Sequence, residues 1–132
     1  MKAISSKVSK TLKTGSVIIC ADNTGAKELQ IISVRGFKGK RRAKPSAGVG
    51  SFVVCRVKSG TEKVMHQMFK AVIIRQKKEY RRPNGMRISF QDNAAVIVDD
   101  KYAPTGTLIR GPVAKEVVER FPTIGKLAGM IV

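Results

Sequence analysis

The sequence predicts a mainly β fold, either a small closed barrel or a sandwich, with helices only at the C-terminal end. The chain has 132 residues, which suffices for one domain but not for two ordinary ones. Its apolar fraction of 42% is enough for a buried core, although aromatic residues are scarce. The apolar residues occur mostly in short runs separated by Gly, Pro, Asn and Asp, which is typical of strands joined by tight turns.

Several of these runs have the length and composition of β-strands. The clearest alternation lies in Phe52–Lys58, where Val53, Cys55 and Val57 are separated by residues of the opposite face. Closing the strands into a barrel would remove the exposed edges that a small open sheet leaves. The predicted strands are Ser16–Cys20, Glu28–Arg35, Phe52–Lys58, Ala71–Arg75, Met86–Phe90 and Ala94–Val98.

Turn residues stand between the predicted strands. Asp22–Gly25 contains Asn and Gly, which tolerate positive φ. Pro83–Gly85 is a strong hairpin signal and would project basic residues from both of its arms. Gly48-Val49-Gly50 resembles half of a nucleotide-binding glycine loop, but it lacks the third glycine and the following helix. We therefore interpret these glycines as relieving crowding where a strand begins.

The C-terminal part has a helical pattern instead. The spacing of Val113, Val117 and Phe121 predicts an amphipathic helix from the first to the last of these residues, and Pro122 ends it. A second short helix is predicted over Thr123–Val132, where the apolar residues again share one face.

The net charge is the strongest functional signal. The chain carries 26 Lys and Arg against nine Asp and Glu, a formal net charge of +17. Such a domain repels itself unless a polyanion is nearby, and nucleic acid is the leading candidate because each neutralised phosphate releases counterions. An anionic membrane is the alternative. The sequence has no basic amphipathic helix, lipidation signal or secretory signal, and no apolar run near the ~20 residues that span a bilayer.

The charge is unevenly distributed along what we expect to be a single domain, residues 1–132. Residues 1–110 are expected to form the barrel with its basic loops, and residues 111–132 the helical segment. Residues 1–87 hold 21 of the 26 basic residues and four of the nine acids, so they carry the entire +17, whereas residues 88–132 are neutral. The neutral, amphipathic C-terminal part suits a protein partner.

Two segments concentrate the positive charge and are predicted to contact nucleic-acid phosphates. Arginine forks onto phosphates and stacks on exposed bases. Tyr80, inside the second segment, either stacks on a base or packs its ring against the barrel. The predicted RNA-binding residues are Arg35, Lys38, Lys40, Arg41, Arg42 and Lys44 in the first segment, and Arg75, Lys77, Lys78, Arg81, Arg82 and Arg87 in the second.

The sequence contains no active-site or metal-binding motif. Cys20 and Cys55 are far apart and lie in aliphatic runs, where burial raises a thiol pKa, so we expect reduced core thiols. His66 is the only histidine and lies in a polar loop. A Cys–His pair is the one catalytic alternative left open. We expect no enzymatic activity, metal, cofactor or small-molecule substrate.

The stretch Ala71–Ile97 resembles the signature of the universal large-subunit ribosomal protein fourteen family, and Ile31–Lys40 and Ala114–Val132 resemble its archaeal and eukaryotic branch more than the bacterial one. It combines a small residue and three aliphatics with a basic spacer and a later aliphatic pair. The residues that carry the resemblance are Ala71-Val72-Ile73-Ile74, Asn84-Gly85, Phe90, Asn93 and Val96-Ile97, with Ala21–Ala26, Ala47–Gly50, Gly106-Thr107 and Gly111-Pro112-Val113 elsewhere.

This resemblance implies a small closed five-stranded β-barrel with a protruding β-ribbon and short C-terminal helices. It implies a cytoplasmic, ribosome-bound protein that binds large-subunit rRNA and takes part in an intersubunit bridge to small-subunit rRNA. The implied protein partners are neighbouring large-subunit ribosomal proteins and, in this branch, the anti-association initiation factor. The residues expected on the protein-partner surface are Thr107, Val113, Lys115, Val117, Phe121, Ile124 and Leu127.

Two alternatives from other functional classes stay open at this point. A free-standing single-strand-binding barrel would act off the ribosome and stack successive bases on aromatics, yet aromatics make up only 5% of the chain. A small enzyme that acts on RNA would depend on a cysteine or on the single histidine.

Overall fold

The computed structural model describes residues 1–132 as eleven strands and two short helices. Neither helix has the length and hydropathy of a membrane span. The elements, in chain order, are β1 (Leu12–Lys13), β2 (Val17–Cys20), β3 (Ala26–Val34), β4 (Ser46–Ala47), β5 (Phe52–Gly60), β6 (Met68–Arg75), β7 (Tyr80–Arg81), β8 (Arg87–Ile88), β9 (Ala94–Val98), β10 (Pro112–Val113), α1 (Lys115–Arg120), α2 (Pro122–Leu127) and β11 (Met130–Ile131).

Five strands close into a barrel in the order β2-β3-β5-β6-β9. All neighbours are antiparallel except β2 and β9, whose parallel pairing closes the barrel through Ile19 opposite Ala94 and Cys20 opposite Ala95. The closed five-stranded barrel is therefore confirmed. Alternation in β5 also holds, because Val53 and Val57 point into the interior and are fully buried, while Arg56 is exposed.

The apolar core has two layers, one inside the barrel and one outside it. Odd positions of β6, such as Ala71 and Ile73, face the interior, whereas Val72 and Ile74 face outward. The outward layer is covered by the C-terminal helices, and β9 is likewise buried on both faces. A strand buried on both faces needs a continuous apolar sequence rather than an alternating one. This explains the aliphatic run of β6.

The two predicted helices exist but are shorter than expected. Pro122 does not simply end the first helix, because it also occupies the first turn of α2, where its missing N–H costs nothing. The predicted second helix over Thr123–Val132 is wrong at its end. Met130–Ile131 forms β11, which pairs in parallel with β10 and so brings the two ends of the C-terminal segment together.

A two-stranded hairpin, β7–β8, lies outside the barrel and matches the predicted turn. Gly85 has φ +86, a conformation that favours glycine, and Asn84 Oδ1 accepts a hydrogen bond from the N–H of Met86 at 3.0 Å. The predicted strand Met86–Phe90 is reduced to the two residues of β8.

Candidate nucleic-acid interface

The segment between β3 and β4 holds the largest group of unpaired cations. It contains Gly36, which has φ +79, and it has no regular secondary structure between Lys38 and Lys40. Its basic side chains are solvent-exposed, and none lies within 4.0 Å of a carboxylate oxygen. These residues are Arg35, Lys38, Lys40, Arg41, Arg42 and Lys44. Such a segment is a strongly positive surface without internal compensation.

The second basic segment divides into exposed and buried cations. Lys77, Lys78, Arg81 and Arg87 are exposed. Only Lys78 and Arg87 have a partner, the exposed Glu79, at 3.4 and 3.8 Å. Exposed pairs of this kind contribute little, roughly 0–1 kcal/mol, so all four cations are free to meet an anionic surface.

Arg75 does not belong to that exposed surface, which corrects the sequence-based expectation. It is only 6% exposed, and its Nε donates to Asp92 Oδ1 at 2.9 Å. Its Nη1 donates to the carbonyl oxygens of Arg110 and Pro112 at 2.8 and 2.9 Å. The guanidinium therefore fixes the segment that leads into the C-terminal helices.

Arg82 is likewise occupied within the protein. Its Nε donates to Glu116 Oε1 at 2.7 Å, and its Nη2 donates to Glu116 Oε2 at 3.3 Å and to the carbonyl of Val132 at 2.6 Å. The hydroxyls of Tyr80 and Ser6 donate to the same carboxylate at 2.7 and 2.9 Å. One buried carboxylate thus joins the β7–β8 hairpin, the N-terminal segment and α1. We name these four side chains, Ser6, Tyr80, Arg82 and Glu116, the Glu116 network.

Protonation in the Glu116 network follows from these bonds. Burial alone would raise the pKa of Glu116, but the hydrogen bonds from Arg82 and Tyr80 outweigh it and lower that pKa below its usual range. The bond to Glu116 raises the pKa of Arg82. Burial raises the pKa of Tyr80, whose ring is 1% exposed. Of the two alternatives for Tyr80, packing against the protein is therefore the correct one, and base stacking is not.

The expected protein-partner residues also divide by burial. Four of them are core residues on the buried side of the C-terminal segment, which corrects their placement on a contact surface: Val113, Val117, Phe121 and Ile124. Leu127 is half-buried. An apolar stripe of period four marks the buried face of a helix, and here that face packs on the barrel.

The exposed residues of this region are partly ones that the sequence pattern missed. Thr107 and Lys115 are exposed as expected. Leu108, Met130 and Ile131 are 52, 60 and 50% exposed. The sequence pattern predicts a helix over the last ten residues, whereas Met130 and Ile131 form β11 and are exposed there.

Neither cysteine takes part in a reactive site. Cys20 and Cys55 are both free and buried, as predicted for core thiols. Burial, with the nearby Asp22 carboxylate, raises the pKa of Cys20 to about 12, and burial alone raises that of Cys55 to about 12. His66 lies in the turn between β5 and β6 and is exposed.

A closed barrel that bears exposed cations on one long loop and one hairpin defines a small basic β-barrel protein of the kind found in ribonucleoproteins. The comparisons give the particular family. Residues 11–132 match the family model described as Ribosomal protein L14p/L23e, and the chain belongs to this family. The resemblance inferred from the sequence is thereby confirmed. Members are structural ribosomal proteins rather than enzymes, bound to ribosomes in the cytoplasm.

Archaeal relatives cover the whole chain. The chain is 53% identical over 132 residues to the large ribosomal subunit protein uL14 of Methanoregula boonei. It is 52% identical to the protein of the same name from Halorubrum lacusprofundi and 50% identical to that from Methanothrix thermoacetophila. In each case the similarity spans 100% of both chains.

Proposed function

We propose that this protein is a structural constituent of the large ribosomal subunit and binds large-subunit rRNA. The observation that carries the proposal is the segment Arg35–Lys44, which holds six exposed basic residues and no acid. No carboxylate elsewhere in the protein lies within ion-pair distance of them. RNA phosphates would supply the missing counter-charge. The printed names of the relatives support the assignment to the large subunit.

The exposed part of the β7–β8 region forms the second half of the proposed RNA surface. Lys77, Lys78, Arg81 and Arg87 contribute to it, whereas Arg75 and Arg82 support the fold behind it. The two short strands and the Asn84-Gly85 turn hold this hairpin in a defined shape, so binding would not require the whole segment to become ordered.

The salt dependence of binding tests this function. We expect Arg41→Gln/Arg42→Gln to weaken binding to transcribed large-subunit rRNA and to lower the slope of log K against log salt concentration by about 0.7–0.9 per lost phosphate contact. Arg110→Gln/Lys101→Gln removes the same charge at exposed positions outside the proposed surface and serves as the control. Equal slopes for the two double variants would contradict the proposal.

We also propose that the C-terminal surface meets other ribosomal components. It is formed by Thr107, Leu108, Lys115, Met130 and Ile131, all of which lie in residues 88–132, the part of the chain with no net charge. An anti-association initiation factor, neighbouring large-subunit proteins and a bridge to small-subunit rRNA are the proposed partners.

A charge on this surface tests the proposed factor site. Met130→Asp should reduce retention of the archaeal anti-association factor on large subunits, because it places a carboxylate in an apolar contact. Met68→Asp, at an exposed position of β6 outside both proposed surfaces, is the control. If retention is unchanged with Met130→Asp, β11 is not part of the factor site.

A further inference from the structure

An open cavity of about 690 Å³ lies between the N-terminal segment and the start of the basic loop. The N-terminal segment, which forms one wall of the cavity, packs against Gly48 and Gly50. A Cβ on Gly50 would lie 2.5 Å from Cδ1 of Ile4, and one on Gly48 would lie 2.8 Å from Cγ1 of Val8. The glycines therefore make room for the N-terminal segment. The family match begins at residue 11, so this wall lies outside the matched region.

The lining of the cavity is cationic and contains no acidic residue. Lys10, Arg35, Lys38 and Arg120 contribute to it, and none of them lies within 4.0 Å of a carboxylate oxygen. The Nε of Arg120 is buried and has no hydrogen-bond partner, the only such buried side-chain nitrogen or oxygen in the protein. The Nε is too enclosed for a ligand atom to reach, so an anion in the cavity would meet Arg120 through its two Nη atoms, which make no hydrogen bond within the protein.

Aromatic and hydroxyl groups accompany the cations. The guanidinium carbon of Arg35 lies 5.2 Å from the ring centroid of Phe52 and 5.9 Å from that of Tyr102, which holds the cation in place. Phe37 lines the same cavity and is 36% exposed. The half-buried Ser46 adds a hydroxyl without a side-chain hydrogen bond to another protein group. Guanidinium, lysine and hydroxyl donors beside an exposed ring are the groups that recognise an unstacked nucleotide.

We propose that this cavity binds one unstacked nucleotide of an RNA single strand. Its phosphate lies against Arg35 and Arg120, and its base lies on the ring of Phe37. The volume falls within the ~300–1,000 Å³ typical of small-molecule sites, which accommodates one nucleotide. The inference rests on the proposed function and deepens it, because it assigns a nucleotide-sized subsite behind the exposed loop. A free nucleotide offers the same chemistry, so the test compares the two sources.

The test titrates the full chain with adenosine 5′-monophosphate, adenosine, and a fluorescent single-stranded RNA of ten nucleotides, with affinities from NMR shifts and fluorescence anisotropy. The monophosphate should bind at the cavity and shift the amide signals of Gly36 and Ser46, whereas adenosine should not bind detectably. Arg120→Gln should weaken monophosphate binding about tenfold, the usual loss for a hydrogen bond to a charged group. Arg110→Gln removes the same charge at an exposed site outside the cavity and should change the affinity less than twofold.

Two further variants test the subsite even if Arg120→Gln does not fold. Lys38→Gln changes an exposed residue and should lower monophosphate affinity several-fold, and Phe37→Ala should weaken the decamer without altering inorganic phosphate binding. Unchanged affinities in all three cavity variants would overturn the subsite. A monophosphate that binds as tightly as the decamer would overturn its assignment to RNA. If Arg41→Gln/Arg42→Gln still lowers the rRNA salt slope in that case, the proposed function stands and only the cavity inference fails.

Discussion

Glu116→Gln should destabilise the protein strongly, although Glu116 lies on a helix of only six residues. The carboxylate accepts four hydrogen bonds, from Tyr80, Ser6 and two nitrogens of Arg82, and its side chain is 3% exposed. Removing one partner of a buried ion pair typically costs about 3–5 kcal/mol. Arg82 is 15% exposed and keeps its bond to the carbonyl of Val132, so we expect the lower end, about 3 kcal/mol.

Urea unfolding followed by circular dichroism at pH 7 measures this loss. The control is Glu119→Gln, which removes the same charge from the same helix. Glu119 is exposed, and its pair with Lys115 spans 3.9 Å, so its loss should cost less than about 1 kcal/mol. We expect one unfolding transition, because the Glu116 network joins the hairpin and the C-terminal segment. A loss for Glu116→Gln no larger than that for the control would refute the role of the network.

The pH dependence of the free energy of unfolding provides a second test with the same variant. The pKa of Glu116 is lower in the folded protein than in the unfolded chain, where it is about 4.3. Its ionised form therefore stabilises the fold above that pH, and the contribution is lost as the pH falls through the folded pKa. Wild type and Glu116→Gln should differ most near neutral pH and converge in acid. A difference that grows in acid would contradict this assignment.

Two further predictions separate structural groups from exposed ones. Arg75→Gln should lower the free energy of unfolding by about 2 kcal/mol or more, because it leaves Asp92 and two carbonyls without their donor. Arg81→Gln, at an exposed site, should change the free energy of unfolding by less than about 0.5 kcal/mol. Urea unfolding measures both variants, and equal losses would contradict the buried role of Arg75. Cys20 and Cys55, with pKa values of about 12, should resist alkylation at pH 8 in the native state and react in urea, and rapid native labelling detected by mass spectrometry would contradict their burial.

The strands and turns could be predicted because their causes are local. Alternation in β5, the aliphatic run of β6 and the Asn84-Gly85 turn each follow from neighbouring residues. The C-terminal strand could not be predicted, because β11 exists only by pairing with β10, 18 residues earlier in register. Helical spacing over the last ten residues was therefore misleading, since tertiary pairing overrides a weak local preference.

The sequence predicted the positive charge of the candidate site, but it did not show which basic residues are exposed and which are bonded within the protein. Arg75 and Arg82 look like their neighbours in sequence, and their carboxylate partners lie 17 and 34 residues away. Only the fold shows that these two guanidiniums are satisfied internally. No cation of the exposed loop has a carboxylate within ion-pair distance, and their assignment to the RNA surface stays a prediction.

According to the proposed function, the exposed loop between β3 and β4 attaches the protein to the large ribosomal subunit. Sucrose-gradient sedimentation of lysates at moderate and high salt tests it directly, with tagged wild type beside Arg41→Gln/Arg42→Gln. We expect wild type to co-migrate with the large subunit at both salt concentrations and the variant to be released at high salt. A wild-type protein found mainly in a free, low-molecular-weight pool, or a variant retained as firmly as wild type, would contradict it.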